Sequence, residues 1–270
     1  MMEKFLEHQI GIDEYITGNR FIDICEESGA TFCKTDFIPQ FINKPVKVFV
    51  THNSDFHVTP QLVQDYAPKT TCWLAQNKDI DSPGIHPIPI GLENMVLRTT
   101  SAARGGQFSS EVPGAQQKAQ LIDRINSLGI PKSGDVYMNF NIGTYPAERQ
   151  QVWDRFKTMP WVTATQKLTL EQFYFDLASY KFVISPRGNG VDCHRTWEAL
   201  YMRTIPIVKS SVHMNGFSDL PIYYVNNWEE LEHSKLLDFY EKVKTELFDL
   251  SNMKISAWKE AICEHTELCG

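Results

Sequence analysis

The sequence lacks the features that mark several specialised classes of protein. Its 270 residues contain no apolar run near the roughly 18 residues that a membrane span needs. The first residues, MMEKFLEHQIG, are too polar for a signal peptide. The six cysteines form neither a C-x-x-C pair nor a zinc-finger spacing, and a net charge of −7 argues against a nucleic-acid partner. These absences predict a soluble, cytoplasmic globular protein with reduced thiols.

The second half of the chain alternates apolar runs with segments of helical periodicity, which is typical of a doubly wound parallel sheet. Strands are predicted at 136–140, 161–165, 182–184, 205–208 and 221–225, and helices at 146–157, 169–180, 192–204, from 228, and 251–265. The first half is less regular. It predicts strands at 46–50, 71–75 and 85–90, helices at 61–66 and 116–128, a weak helix with irregular cover over 1–45, and a mobile loop over 91–114.

The segment from Lys181 to Val208 contains a strand, a glycine-rich loop and a helix in succession. The loop Arg187-Gly188-Asn189-Gly190 has the composition that allows positive φ and close approach of backbone N–H groups to a ligand. One helical stripe is predicted to be buried and consists of Cys193, Trp197, Leu200, Tyr201 and Thr204. Three polar residues lie on a different side of the same predicted helix: His194, Arg195 and Glu198.

This segment can be interpreted as an anion site at a helix N-terminus, with Arg187 and Arg195 beside the loop amides. A tight strand-to-helix turn with a solvated helix face explains the spacing about as well. A dinucleotide site is disfavoured, because the third small residue of G-x-G-x-x-G is Cys193 here and no acidic residue follows the next strand.

The run S-P-x-G-N-G-x-D-C-H-R-x-W-E-A-L, followed by the strand I-P-I-V, resembles the signature of exostosin-like glycosyltransferases. HPIPIGLEN (86–94) and VYMNFNIGTYPAERQ (136–150) resemble that family too, so the likeness spans 47–225. It implies an α/β fold of the GT-B type, with two Rossmann-like domains facing across a cleft. Family members in animals and plants usually carry a membrane anchor, and this sequence departs from that pattern.

The resemblance also implies a division of labour along the chain. Residues 1–133 would form an acceptor-binding domain, 134–248 a nucleotide-sugar domain, and the final segment 249–270 would pack back on the first domain. The donor-binding residues implied are Arg149, Ser185, Arg187, Gly188, Asn189, Gly190, His194, Arg195 and Glu198, with Glu198 assigned to the ribose.

The loop from His52 to His57 is the candidate catalytic loop, because it follows the clearest strand of the first domain. Its two imidazoles and one carboxylate could serve a metal, a general base or no ligand. One short loop rarely supplies three metal ligands, so no metal is expected. We predict Asp55 as the general base, with His52 and His57 as alternates. The D-x-D match Asp79-Ile80-Asp81 is interpreted as a turn, because polar residues precede it.

The predicted function is therefore transfer of a sugar from a UDP-sugar, with UDP-xylose as the first guess, to a hydroxyl of an oligosaccharide or glycoprotein glycan. The family implies inversion in a single displacement. We expect no divalent metal or other cofactor, because Arg149, Arg187, Arg195 and the helix dipole would balance the charge of the leaving diphosphate. Two other classes remain open at this stage: a non-catalytic nucleotide or glycan binding protein of the same fold, and an NAD-linked sugar-modifying enzyme.

Overall fold

A computed structural model describes residues 2–41, 46–93 and 114–266. The elements of the first half are β1 (Met2–Lys4), α1 (Gly18–Ser28), β2 (Thr31–Cys33), β3 (Val46–Thr51), α2 (Pro60–Tyr66), β4 (Thr70–Ala75), β5 (Ile85–Pro87) and α3 (Gly114–Ser127). Those of the second half are β6 (Gly134–Met138), α4 (Pro146–Phe156), β7 (Val162–Ala164), α5 (Leu170–Ser179), β8 (Tyr180–Ile184), α6 (His194–Tyr201), β9 (Ile205–Lys209), β10 (Tyr223–Val225), α7 (His233–Thr245), β11 (Leu247–Asp249) and α8 (Ile255–Cys263).

The first sheet has four parallel strands in the order β2-β3-β4-β5. Strands β3 and β4 are buried over their last four residues, which are apolar except for Thr51. Strand β5 lies at the edge, as its prolines predict. Strand β2 and helix α1 come from the segment 1–45, which was predicted as a weak helix with irregular cover. Local capping explains α1, because the Thr17 hydroxyl accepts from the Arg20 N–H and Gly29 ends the helix at φ 74°.

The second sheet has five parallel strands in the order β10-β9-β8-β6-β7. From β6 the chain goes to one side for β7 and then returns past β6 to place β8 on the other side. The strand order therefore reverses between β6 and β8. In open α/β sheets, ligands bind in the crevice at the carboxyl ends of the two strands that flank such a reversal. The predicted α/β class with two parallel-sheet units is confirmed.

The two ends of the chain meet. Strand β1 pairs antiparallel with β11, and α8 packs on α1, where the Phe21 and Trp258 rings are 6.4 Å apart. The last helix thus contacts an element of the first sheet's unit. Helix α3 packs against α5 of the second unit, although it precedes residue 134. The division of the chain at 133/134 remains a proposal.

Three predictions from the sequence concern the cysteines, the loop over 91–114 and membrane-spanning helices. The expectation of reduced thiols fails at Cys263, which is disulfide-bonded, whereas Cys25, Cys33, Cys72 and Cys193 are free. Most of the predicted loop over 91–114 lies outside the described residues. Among the helices that the structure describes, none combines the length and apolarity needed to cross a membrane.

Candidate active site

A cavity of about 620 Å³ opens at the reversal point of the second sheet. The loops after β6 and β8 form most of its wall, and the start of α6 forms another part. Its lining residues from the second unit include Asn139, Asn141, Thr144, Arg149, Lys167, Gly188, Asn189, Gly190, His194, Arg195 and Glu198. Asp55, Ile90 and Lys118 also line it. The cavity is thus shared between the two sheet units.

The glycine loop approaches the first unit closely. A Cβ on Gly190 would lie 2.6 Å from the side chain of Asn77, and one on Gly188 would lie 3.2 Å from Nη2 of Arg149. Neither glycine has positive φ, so that part of the sequence interpretation is wrong. Glycine is required at 190 because another chain segment occupies the space of a side chain, and not because of backbone conformation.

The helix α6 begins at the cavity and its apolar stripe is buried as predicted, with Trp197, Leu200 and Tyr201 fully inaccessible. Asp192 directly precedes Cys193, the N-cap residue of α6. Its carboxylate accepts from the Trp197 indole at 2.8 Å and from the Ile90 N–H at 2.8 Å. Because Ile90 follows β5, this buried carboxylate ties the start of α6 to the first unit.

Two predicted phosphate ligands, Arg149 and Arg195, line the cavity but are only 4% exposed. Arg149 donates to the carbonyls of Asn141 at 2.8 Å and Arg187 at 2.7 Å, which joins the two loops of the crevice. Arg195 donates to the Asn139 carbonyl at 3.0 Å. Both guanidinium groups therefore hold the loops in place, and they put positive charge beside the cavity.

Glu198 is buried and takes part in a charged cluster that the sequence did not indicate. Its Oε1 lies 2.9 Å from Lys118 Nζ and accepts from the Tyr174 hydroxyl at 2.9 Å. Lys118 also lies 3.4 Å from Oε2 of Glu93 and donates to the Leu92 carbonyl at 2.7 Å. All three charged side chains are at most 1% exposed. Lys118 therefore links the end of the first unit's β5 loop to α6.

His194 stands at the edge of this charged cluster and lines the cavity. Its Nδ1 is 2.7 Å from the Gly91 carbonyl, so Nδ1 carries a proton, and its Nε2 is 4.0 Å from Glu93. The predicted donor-site residues His194, Arg195 and Glu198 thus come together at one cavity wall. The solvated helix face that was the other interpretation is absent.

Asp55, the predicted base, lines the cavity from the opposite wall. Its Oδ2 accepts from Nδ2 of Asn189 at 3.1 Å. The carboxylate therefore faces the glycine loop of the other unit. The loop that carries Asp55 is held in place, because the side-chain amides of Gln76 and Asn77 both donate hydrogen bonds to the Ser54 carbonyl, at 3.1 and 2.9 Å.

His57 lies in the same loop as Asp55 but does not line the large cavity. Its Nδ1 is 3.2 Å from Asp79, and its Nε2 is 2.9 Å from Nη2 of Arg187. Arg187 itself stacks on Tyr145, with 4.5 Å between the guanidinium carbon and the ring centroid. A separate cavity of about 270 Å³ is lined by Arg187, Ser185 and Asp79. The predicted donor-binding set is therefore split, with Ser185 and Arg187 at the smaller cavity.

His52 does not face either cavity. It is fully buried, with Nδ1 at 2.7 Å from Oδ1 of Asn53 and Nε2 at 2.9 Å from the Pro89 carbonyl. Burial lowers the pKa of His52 to about 4. A weak base with both nitrogens engaged cannot accept a proton from a substrate in the cleft, so we do not retain His52 as a catalytic alternate.

The described residues contain no group of three His, Cys, Asp or Glu that could hold a metal ion. Asp79 contacts His57 and Asp81 is 97% exposed. Trp73 is 1% exposed and donates to the Thr51 hydroxyl. It is a core residue, as are most of the other tryptophans.

Sequence reasoning missed Lys118 and Lys167 as cavity residues. Lys118 sits on a helix to which the sequence assigned no functional role, and its contacts with Glu93 and Glu198 join residues that are far apart in the chain. Lys167 has φ 57° and follows β7, the strand next to the reversal point. Its position after a predicted strand of a doubly wound sheet was the available signal.

Comparisons with known proteins show only weak likenesses to solved structures. No family model matches the chain, and no curated protein matches its sequence. Solved structures with some likeness include an alpha1,3-fucosyltransferase (12% identity, TM-score 0.35, 75% of each chain covered) and the same kind of enzyme with GDP-fucose (12%, 0.34, 76% and 79% covered). A UDP-GlcNAc 2-epimerase from Methanocaldococcus jannaschii matches at 9% identity and TM-score 0.32, covering 89% and 79%. Likenesses at this level support no inference about activity.

Proposed function

We propose that the chain is a glycosyltransferase that moves a sugar from a UDP-sugar to a hydroxyl of a glycan acceptor. One observation carries the proposal: the large cavity lies at the reversal point of the second sheet and is faced by a carboxylate from the first unit, Asp55. Such a crevice is where open α/β sheets bind nucleotides, and a carboxylate opposite it is positioned for proton transfer. The exostosin-like signature in the same loop and helix supports this choice.

The donor would lie with its nucleotide against α6 and its diphosphate against the glycine loop. Gly188 and Gly190 line that wall, and Arg149 and Arg195 supply positive charge beside it. Glu198 would accept hydrogen bonds from the ribose hydroxyls. UDP-xylose is our first choice of donor, on the family resemblance.

In the proposed transfer, Asp55 takes the proton of an acceptor hydroxyl while that oxygen attacks the anomeric carbon. The bond from the anomeric carbon to the diphosphate oxygen breaks on the opposite face, so the configuration inverts. The leaving diphosphate carries the negative charge away. The arginines and the N-terminal end of α6 would stabilise that charge without a divalent metal.

Glu198→Gln is expected to weaken UDP binding about tenfold or more, because a hydrogen bond to a charged group contributes about 1.5–3 kcal/mol. Isothermal calorimetry with UDP measures the effect. Tyr174→Phe is the matched control, since it removes the 2.9 Å hydrogen bond to Glu198 and keeps the carboxylate. Unchanged UDP affinity in a stable Glu198→Gln protein would show that the ribose is held elsewhere.

Chelation is expected to leave transfer activity unchanged, because Arg149 and Arg195 supply positive charge beside the proposed diphosphate position. The test is the initial rate with excess EDTA, followed by addition of manganese or magnesium. Loss of activity that either ion alone restores would contradict metal-independent transfer. It would return Asp79, Asp81 and the loop with His52 and His57 to consideration as ligands.

A thermal-shift panel of UDP-, GDP- and dTDP-sugars tests the donor class. The proposal predicts that UDP-sugars raise the melting temperature and that UDP alone gives most of the shift. Stabilisation only by GDP-sugars would overturn the choice of nucleotide while keeping the site.

A non-catalytic nucleotide-binding protein is the second candidate function. The observation that favours it is that Asp55 is already hydrogen-bonded to Asn189 and His57 to Arg187, so both remaining base candidates have partners across the cleft. Such a protein would bind UDP but would not release it from a UDP-sugar when an acceptor is added.

A further inference from the structure

A cavity of about 290 Å³ lies at the end of α6 that is remote from the cleft. Helix α6 starts with His194 at the large cavity, and Met202, directly after its last residue, lines this other one. Much of the lining is apolar and includes Ile125, Ile130 and Ala178. Two cations, Lys132 and Arg203, complete it. None of the lining side chains that the structure describes is a carboxylate.

Lys132 is held in a defined position by uncharged acceptors. Its Nζ donates to the Met202 carbonyl at 3.0 Å and to the Thr204 hydroxyl at 2.5 Å. The Thr204 hydroxyl in turn donates to the Leu177 carbonyl at 2.7 Å, so towards Lys132 it acts as an acceptor. Burial, and then the neighbouring Arg203, lower the pKa of Lys132 well below its ordinary value. The surroundings therefore disfavour the charged form of Lys132 unless an anion balances it.

Arg203 is fixed in the same way. Its Nε and Nη2 donate to the His8 carbonyl at 3.0 and 2.7 Å. Carbonyl oxygens satisfy N–H groups but carry no formal charge, and the C-terminal end of α6 offsets only part of the positive charge. Both cations are partly buried at the same cavity and repel each other, and an anion between them would relieve that repulsion. The cations are held in place, and the space beside them is apolar.

We propose that this cavity binds a small organic carboxylate. The carboxylate would lie between Lys132 and Arg203, and an apolar body would pack against Ile125, Ala178 and Met202. A planar guanidinium suits a carboxylate, and an apolar lining favours an organic anion over a bare inorganic ion. The site is independent of the proposed transfer reaction, because it lies at the other end of α6 and shares no lining residue with the cleft.

Calorimetry with benzoate tests the proposal, with benzamide and inorganic phosphate as the comparison ligands. Benzoate is expected to bind with Kd on the order of 1 mM or tighter, as suits a ligand of its size. Benzamide, which has the same shape without the charge, is expected to bind at least tenfold more weakly, and phosphate likewise. Absence of benzoate binding, or equal binding of benzamide or of phosphate, would overturn the proposal.

Two variants locate the site. Lys132→Met removes one cation, and Ile130→Trp narrows the cavity from its half-buried rim while keeping both cations. Each is expected to weaken benzoate binding at least tenfold, whereas Lys235→Met, which removes an exposed lysine of α7, should leave it unchanged. Circular dichroism and the melting temperature identify a variant that fails to fold. Unchanged benzoate affinity in either folded cavity variant would overturn the assignment.

Discussion

Replacing Asp55 by Asn is expected to lower turnover by about 10²–10⁴-fold, the factor that a positioned general base supplies. The side chain lines the cleft from the first unit and is held towards the glycine loop by Asn189 at 3.1 Å. Asparagine keeps the size of the side chain and loses the ability to accept the proton. UDP affinity should stay within about twofold, because the proposed nucleotide site lies on the other unit.

Two other variants serve as controls for this experiment. His57→Ala removes the neighbouring imidazole, which contacts Asp79 and Arg187 and does not line the large cavity. Asp81→Asn removes a carboxylate that is 97% exposed. Both should lower turnover far less than Asp55→Asn. If Asp55→Asn keeps more than about a tenth of wild-type turnover and His57→Ala does not, the base is His57.

Lys118→Met is expected to destabilise the fold by about 3–5 kcal/mol, which is the usual cost of removing one partner from a buried charge cluster. Lys118 lies between Glu93 and Glu198, and all three side chains are at most 1% exposed. Without the ammonium group, two carboxylates would remain buried without a cation between them. The free energy of unfolding in urea measures the loss.

Two further variants separate charge from packing. Lys181→Met breaks the half-buried pair with Asp135 and should cost less than about 1 kcal/mol. Adding Glu198→Gln to Lys118→Met removes one of the two carboxylates that Lys118 contacts, and it should restore part of the lost stability. A loss below about 1 kcal/mol for Lys118→Met would show that the buried cluster contributes little to the fold.

The second sheet could be predicted from the sequence because its signals are local. Strands β6, β8 and β9 are short apolar runs bounded by breakers, and each one is found within about two residues of its predicted position. Strand β2 was missed, since its three residues, Thr31–Cys33, are too few to show alternation. The β1 and β11 pair joins residues at opposite ends of the chain, which no local pattern reports.

The cavity wall that we propose for the donor was predictable for the same reason: one segment supplies the glycine loop and the start of α6. The sequence did not predict the direction in which each side chain points. Arg187 turns towards Tyr145 and the smaller cavity, and His52 points into the core. Gly190 is another residue whose role no local pattern predicts, because that role depends on Asn77, more than a hundred positions away in the chain. Contacts between distant segments decide these roles.

The most direct test of the account is release of UDP from a panel of UDP-sugars, measured with and without a pool of oligosaccharide acceptors. We predict that at least one UDP-sugar releases UDP only when acceptors are present, and that Asp55→Asn abolishes most of that release. UDP binding without acceptor-dependent release from any donor would contradict a glycosyltransferase and would favour a binding protein of the same fold.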